Sequence, residues 1–242
     1  MLMKYAEFAE TLKRGLGLSH PPVALSFLEE PPIGIPHFAG IVPSACTFWR
    51  LAEERLFYAT AQDHYQCPVG TMTMGFELPA ENKKDAEKLF SEMLRLQYLS
   101  QEEFPKIPSV KKPHRVVLYG PLVNFPISPD VVLIIALPNQ AMILSEASGA
   151  ASWTGPALSI LGRPTCGAIP RALDHQTSVM SSACIGARIY AELREEELVI
   201  ILPGSELEKI EDKLHGVLMA NQVLSGFHAE RKRQISGGTG SN

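Results

Sequence analysis

Val131-Val132-Leu133-Ile134-Ile135-Ala136-Leu137 is the longest unbroken apolar run in the chain. Seven residues are far short of the roughly 20 that span a bilayer. The run is rich in branched side chains and is followed by Pro138, so it reads as a strand. Successive strand side chains point to opposite faces, so a strand apolar at every position must be covered on both sides. Downstream, the pattern predicts a helix from Asn139 to about Ala150, a short helix over Arg171 to His175 and a strand over Ser178 to Ser182. A strand over Glu197 to Leu202 follows, then a helix from Ser205 to Leu218, with Ser205 and Glu208 spaced as a capping box. Upstream, Val116-Val117-Leu118-Tyr119 reads as a further strand.

The first part of the chain carries a comparable series. Tyr5, Phe8, Ala9 and Leu12 mark an amphipathic helix over 3–15, stopped by Gly15 and Gly17. Strands are expected at Val23–Leu28 and Leu56–Thr60, with a helix between them from about Ala45 to Arg55. A third strand is expected to end at Glu77-Leu78-Pro79. Lys83 to Leu99 is amphipathic, with Ala86, Leu89, Phe90, Met93, Leu96 and Tyr98 on its apolar face. Each half therefore runs strand, cysteine, strand, cysteine then glycine, strand, charged helix. The cysteine separations are similar, 21 residues for Cys46 to Cys67 and 18 for Cys166 to Cys184. Cysteine placement is not a generic feature of such segments, and it points to an internal duplication. The expected fold is α/β, a single body of two similar α/β halves. Its divisions are an N-terminal helix (1–20), a first repeat (21–104), a proline-marked linker (105–115), a second repeat (116–228) and a flexible tail (229–242).

The 242 residues are 45% apolar and 20% charged, the balance of an ordinary globular protein that can bury a core without disulfides. The formal charge of −4 gives no basic excess of the kind that marks a nucleic-acid-binding domain. The N-terminus lacks the apolar stretch of a secretory signal, so a cytoplasmic chain is expected, with no membrane association. Cytosolic thiols stay reduced, which makes four cysteines ligands, nucleophiles or buried apolar groups before it makes them disulfides. The dinucleotide fingerprint, the Walker A loop, H-E-x-x-H, C-x-x-C and the G-x-S-x-G elbow are all missing from the sequence.

The chemistry therefore rests on Cys46, Cys67, Cys166 and Cys184. A duplicated fold with two cysteines per half can gather all four near its pseudo-twofold axis. Four thiolates there would bind an iron–sulfur cluster or zinc, with [4Fe–4S] preferred because nearby arginines can offset a net-negative cluster. Prolines and glycines beside each cysteine leave backbone amides free to bond sulfur. Two alternatives stay open. Cys67 could act as a nucleophile with His64 as its base, on a small acidic metabolite. The cysteines could also be inert core groups in a small-molecule-binding protein. Arg50, Arg171 and Arg188 each lie close to a cysteine and could hold an anionic ligand. Trp49 and Trp153 read as core or as the wall of a cofactor pocket. Met72 and Met74 could serve as soft ligands, but such residues are more often core.

Three stretches carry a family resemblance: Cys46-Thr47-Phe48-Trp49-Arg50, Asp63-His64-Tyr65-Gln66-Cys67-Pro68-Val69-Gly70, and Ser181-Ser182-Ala183-Cys184-Ile185-Gly186-Ala187-Arg188-Ile189-Tyr190 followed by Ile201-Leu202-Pro203. With these the chain resembles, from about 20 to 220, the proteins called domain of unknown function 169 (DUF169). Such proteins come largely from archaea and anaerobic bacteria, which would suit an oxygen-sensitive centre. The resemblance implies no reaction. The expected role is redox, electron transfer or cofactor handling, with a redox partner or a small-molecule ligand. A homo-oligomer is compatible with the sequence, and whether the chain is an enzyme is left open.

Overall fold

An apolar strand covered on both sides needs two layers of helices, and the computed structural model has them. It describes residues 2–149 and 159–237. In chain order the elements are α1 (Leu2–Leu16), β1 (Val23–Leu28), α2 (Thr47–Leu51), β2 (Phe57–Thr60), α3 (Ala61–His64), α4 (Pro68–Thr73), α5 (Ala80–Arg95) and β3 (Val116–Pro121). Then come β4 (Val131–Ala136), α6 (Pro138–Ser148), β5 (Ser159–Leu161), α7 (Ala168–His175), β6 (Val179–Ser181), α8 (Ile185–Tyr190), β7 (Leu198–Pro203) and α9 (Leu207–Gly237). The strands form one sheet in the order β2-β3-β1-β4-β7-β6-β5. Neighbours run antiparallel except β5 and β6. The fold is mixed α/β.

The strand at 131–137 is β4, fourth of seven, and all six of its residues are buried. Its side chains divide between two cores. Val132, Ile134 and Ala136 join Phe8 and Leu12 of α1, Leu144 of α6 and Ile210 and Leu214 of α9. Val131, Leu133 and Ile135 join Phe48 and Trp49 of α2, Ile169 of α7 and Ala187 of α8. Burying each large side chain contributes about 1.5–3 kcal/mol, so the centre of the sheet anchors both layers. The second layer carries the cysteines, because Cys46 and Cys166 belong to the same core.

Several expected elements are placed differently. Phe76 to Pro79 lies outside the strands. Gly75 (φ +83°) turns the chain sharply out of α4, and a Cβ there would lie 2.4 Å from the Val110 carbonyl oxygen. Phe76 then packs its ring against His64 and His114. The third strand beside β1 is instead β3, forty residues later in the chain. The helix expected over Ala45 to Arg55 shortens to the five residues of α2. α9 does not begin at Ser205. Gly204–Glu206 form a 3-10 turn first, and the Ser205 hydroxyl bonds Gln176. α9 continues to Gly237 and so takes in most of the segment expected as a flexible tail. Trp153 lies outside the described residues.

The turn after β7 is fixed by backbone contact. The Gly204 N–H donates to the Asp130 carbonyl oxygen (2.8 Å), and a Cβ on Gly204 would lie 1.8 Å from the Pro129 carbonyl oxygen. Gly204→Ala should therefore destabilise the fold by about 2 kcal/mol or more through overpacking. Thermal unfolding followed by circular dichroism should show a Tm lowered by about 4–8 °C. An unchanged Tm would mean that this turn is slack.

Candidate functional site: a cavity lined by four cysteines

Each cysteine stands where one element gives way to a helix. Cys46 precedes α2, Cys67 precedes α4 and Cys184 precedes α8, while Cys166 sits in the 3-10 turn leading into α7. The arrangement follows from local chemistry. Pro68 fits the first position of α4, where no amide hydrogen is needed. Gly70 lets the Cys46 loop lie directly on α4, since a Cβ there would lie 2.6 Å from the Ala45 Cβ and 2.9 Å from Cys67 Sγ.

The four cysteines come from separate segments and line one cavity of about 770 Å³. Hydroxyl groups knit them together. The Ser44 hydroxyl lies 3.0 Å from Cys46 Sγ and donates to Cys67 Sγ at 3.4 Å. A hydroxyl has one hydrogen, so the Cys46 thiol donates to Ser44 when Ser44 donates to Cys67. The Gly70 N–H also donates to Cys67 Sγ (3.3 Å). Thr73 Oγ1 lies 3.1 Å from both Cys166 Sγ and the Gly70 carbonyl oxygen, bridging positions 93 residues apart. Thr165 Oγ1 accepts from the Cys184 N–H at 2.6 Å.

Burial pushes the Cys46 thiol up to about 12, with Cys67 and Cys184 adding to the effect against the Ser44 hydrogen bond. Burial likewise raises the Cys166 thiol well above its ordinary value, and Cys67, Cys46 and Cys184 raise it further. These two thiols are thus protonated at neutral pH. They would ionise only for a cation strong enough to offset burial. No three His, Cys, Asp or Glu side chains among the described residues are grouped as a single metal ion needs. The cysteines share a cavity without being collapsed onto one point.

The other candidate residues lie elsewhere. His64 is buried and does not face Cys67. Its Nδ1 donates to the Thr60 carbonyl oxygen (2.6 Å), and its Nε2 accepts from the Tyr119 hydroxyl (3.0 Å). With both ring nitrogens engaged, and with burial pushing it down to about 4, it is a neutral core histidine. Asp63 caps α3. Burial works to raise its carboxyl, but hydrogen bonds from Thr60 and His37 outweigh this and hold it below its usual value. Trp49 is fully buried in the core, and its indole N–H has no hydrogen-bond partner. Arg50 is drawn to its nearest counter-charge, Glu53, and to His20. Arg188 braces the turns on either side of α8 through the Ser182 carbonyl oxygen (2.7 Å) and that of Arg194. Trp49, Arg50, Arg188 and His64 are not among the cavity-lining residues. Of the arginines near cysteines Arg171 lines the cavity, joined by Arg163.

Sequence reasoning missed Ser44, Thr73 and Thr165 as partners of the cysteines. Ser44 and Thr165 stand within two residues of a cysteine, a spacing that could have flagged them. Thr73 has no such signal, because its link to Cys166 exists only in three dimensions.

The chain belongs to the DUF169 family: the family model, described as Uncharacterised ArCR, matches residues 11–213. No curated protein and no solved structure matches the chain.

A histidine held neutral by burial stabilises the fold fully above its unfolded pKa of 6.5 and loses that contribution as pH falls through about 4. Between these values His64 alone should cost the fold on the order of 3 kcal/mol. Urea unfolding across pH 7 to 4 should show this slope in the wild type and lose most of it in His64→Gln. Identical slopes in the two proteins would show that His64 is not held neutral.

Proposed function

We propose that Cys46, Cys67, Cys166 and Cys184 together hold a cysteine-ligated metal centre, a [4Fe–4S] cluster ahead of zinc, in a cytoplasmic protein with a redox, electron-transfer or cofactor-handling role. The observation that carries this reading is the shared cavity, to whose lining four separate segments each contribute one cysteine. One feature favours a cluster over a single ion. The hydroxyl and amide donors on Cys67 and Cys166 are of the kind that tune cluster potentials. The arginines that could offset the negative charge of such a group are Arg163 and Arg171, in place of Arg50 and Arg188.

An internal duplication is part of the same reading. Outward from the β1–β4 pair, the strands run β1-β3-β2 on one side and β4-β7-β6 on the other. β3 and β7 each have six residues, end in proline (Pro121, Pro203) and lead into a 3-10 turn. Cys46 and Cys166 precede β2 and β6, and Cys67 and Cys184 follow them. On this match the partner of β7 is β3, not the stretch around Glu77. The thiol-enzyme alternative has less support, since His64 is committed to Thr60 and Tyr119.

The test is iron and sulfide analysis, with the visible spectrum, of protein purified or reconstituted without oxygen. About four irons and four sulfides, with broad absorption near 400 nm, are expected. Serine substitution of any one of the four cysteines should lower iron content and bleach the spectrum. Because Cys46 and Cys166 must each lose a proton, loading should release protons and weaken steeply as pH falls. Protein that stays free of iron and zinc after reconstitution would overturn the proposal.

A further inference from the structure

A centre held by four thiolates must lie within metal–sulfur bonding reach of them, about 2.3 Å, so it can occupy only the floor of the cavity. The whole cavity, about 770 Å³, has the size of a small-molecule site, and residues of α5 line it as well as the cysteines. α5 caps it. The helix rests on the body through Ala86 and through Phe90, whose ring meets Phe104 edge-on at 4.7 Å. It presents Leu89, Met93 and Leu96 to the cavity, where Leu89 and Leu96 stay substantially exposed. Exposed leucines facing an open cavity leave apolar area for an apolar ligand to cover.

The charges at the cavity are asymmetric. Arg163, Arg171 and Lys106 line it together with Glu92 and Glu103. Glu92 accepts from Arg95 at 2.6 and 2.7 Å, and Glu103 accepts from the Ser100 N–H at 2.9 Å, with Arg163 and Lys106 near enough to help hold its carboxyl below its usual value. The central carbon of the Arg163 guanidinium lies over the Tyr98 ring, 3.5 Å from its centroid, and this cation–π contact helps hold it at the cavity. A guanidinium held over a ring by its central carbon still has N–H groups to offer a carboxylate.

We propose that the cavity takes a second occupant, an organic carboxylate with an apolar body, the body lying along Leu89, Met93 and Leu96 and the carboxylate on Arg163. The assignment rests on the reading of the cysteine-lined cavity as the site of action, and it names the class of molecule that meets the centre there. It requires no arginine at the positions favoured by the sequence, Arg50 and Arg188.

The probe is octanoate, with octan-1-ol as the uncharged control, titrated by calorimetry into full-length protein in iron-free and iron-loaded forms. Octanoate should bind one-to-one and more tightly than the alcohol. Arg163→Gln should weaken octanoate about ten-fold and leave octan-1-ol unchanged. Met93→Trp, which fills the space, should abolish binding of both, with circular dichroism confirming the fold. Leu96→Trp serves the same purpose if the first variant does not fold. Octanoate bound equally well by the filled variant, or indifferent to Arg163→Gln, would overturn the proposal, as would absence of binding to either form. Binding by a protein that takes up neither iron nor zinc would support this inference while sinking the metal reading. A protein that takes up iron but not octanoate would do the reverse.

Discussion

The burial of β4 on both faces is the constraint on which the remainder of the molecule depends. A strand with no polar side chain must sit in the middle of a sheet, so β1 and β7 are held to its two edges. Its alternating side chains then demand a separate apolar cover above and below. α1, α6 and α9 supply one cover with long helical faces. On the other side the cover is assembled from short helices and the turns between them. That difference matters for chemistry, because short helices mean many helix starts, and the cysteines stand at or just before those starts.

Within that second layer, polar groups are tolerated only where each has a partner. The hydroxyls of Ser44, Thr73 and Thr165 meet the need beside the cysteines, as Thr60 and Tyr119 do for His64. The Trp49 indole N–H is an exception among the described residues. The cysteines themselves are neither disulfide-bonded nor equally buried: Cys46 and Cys166 are buried, and Cys67 and Cys184 are half-buried. A lining of this kind combines two thiols shielded from solvent with two that are partly exposed.

The sequence was most legible where physics is local. The run at 131–137 announced β4 and its central place, and the apolar spacing of 3–15 and of 83–99 announced α1 and α5, within a few residues at their ends. Reading failed where tertiary contact overrides pattern. Phe76-Glu77-Leu78 has the alternation of a strand, yet Gly75 turns it away and Phe76 is claimed by two histidine rings. Arginines four residues beyond Cys46 and Cys184 share a helical face with those cysteines. Their length lets them reach other partners, Glu53 for Arg50 and two backbone carbonyls for Arg188. That the four cysteines face one cavity could be guessed from their repetition, but the role of α5 as its cover, and of Arg163 beside Tyr98, required the folded chain.

The bridge from Thr73 to Cys166 also has a bearing on time. Contacts between residues so far apart in sequence form only after a large loop has closed, and such closure is slow compared with helix or hairpin formation. β7, which lies against β4, is the last strand of the sheet to leave the ribosome. Until it docks, one edge of β4 is bare and the cysteines before α7 and α8 have no fixed position relative to those before α2 and α4. During synthesis the chain therefore passes through a period in which its four thiols are present but dispersed. The cavity is a late product of folding, and its sulfurs meet only when the whole sheet has closed.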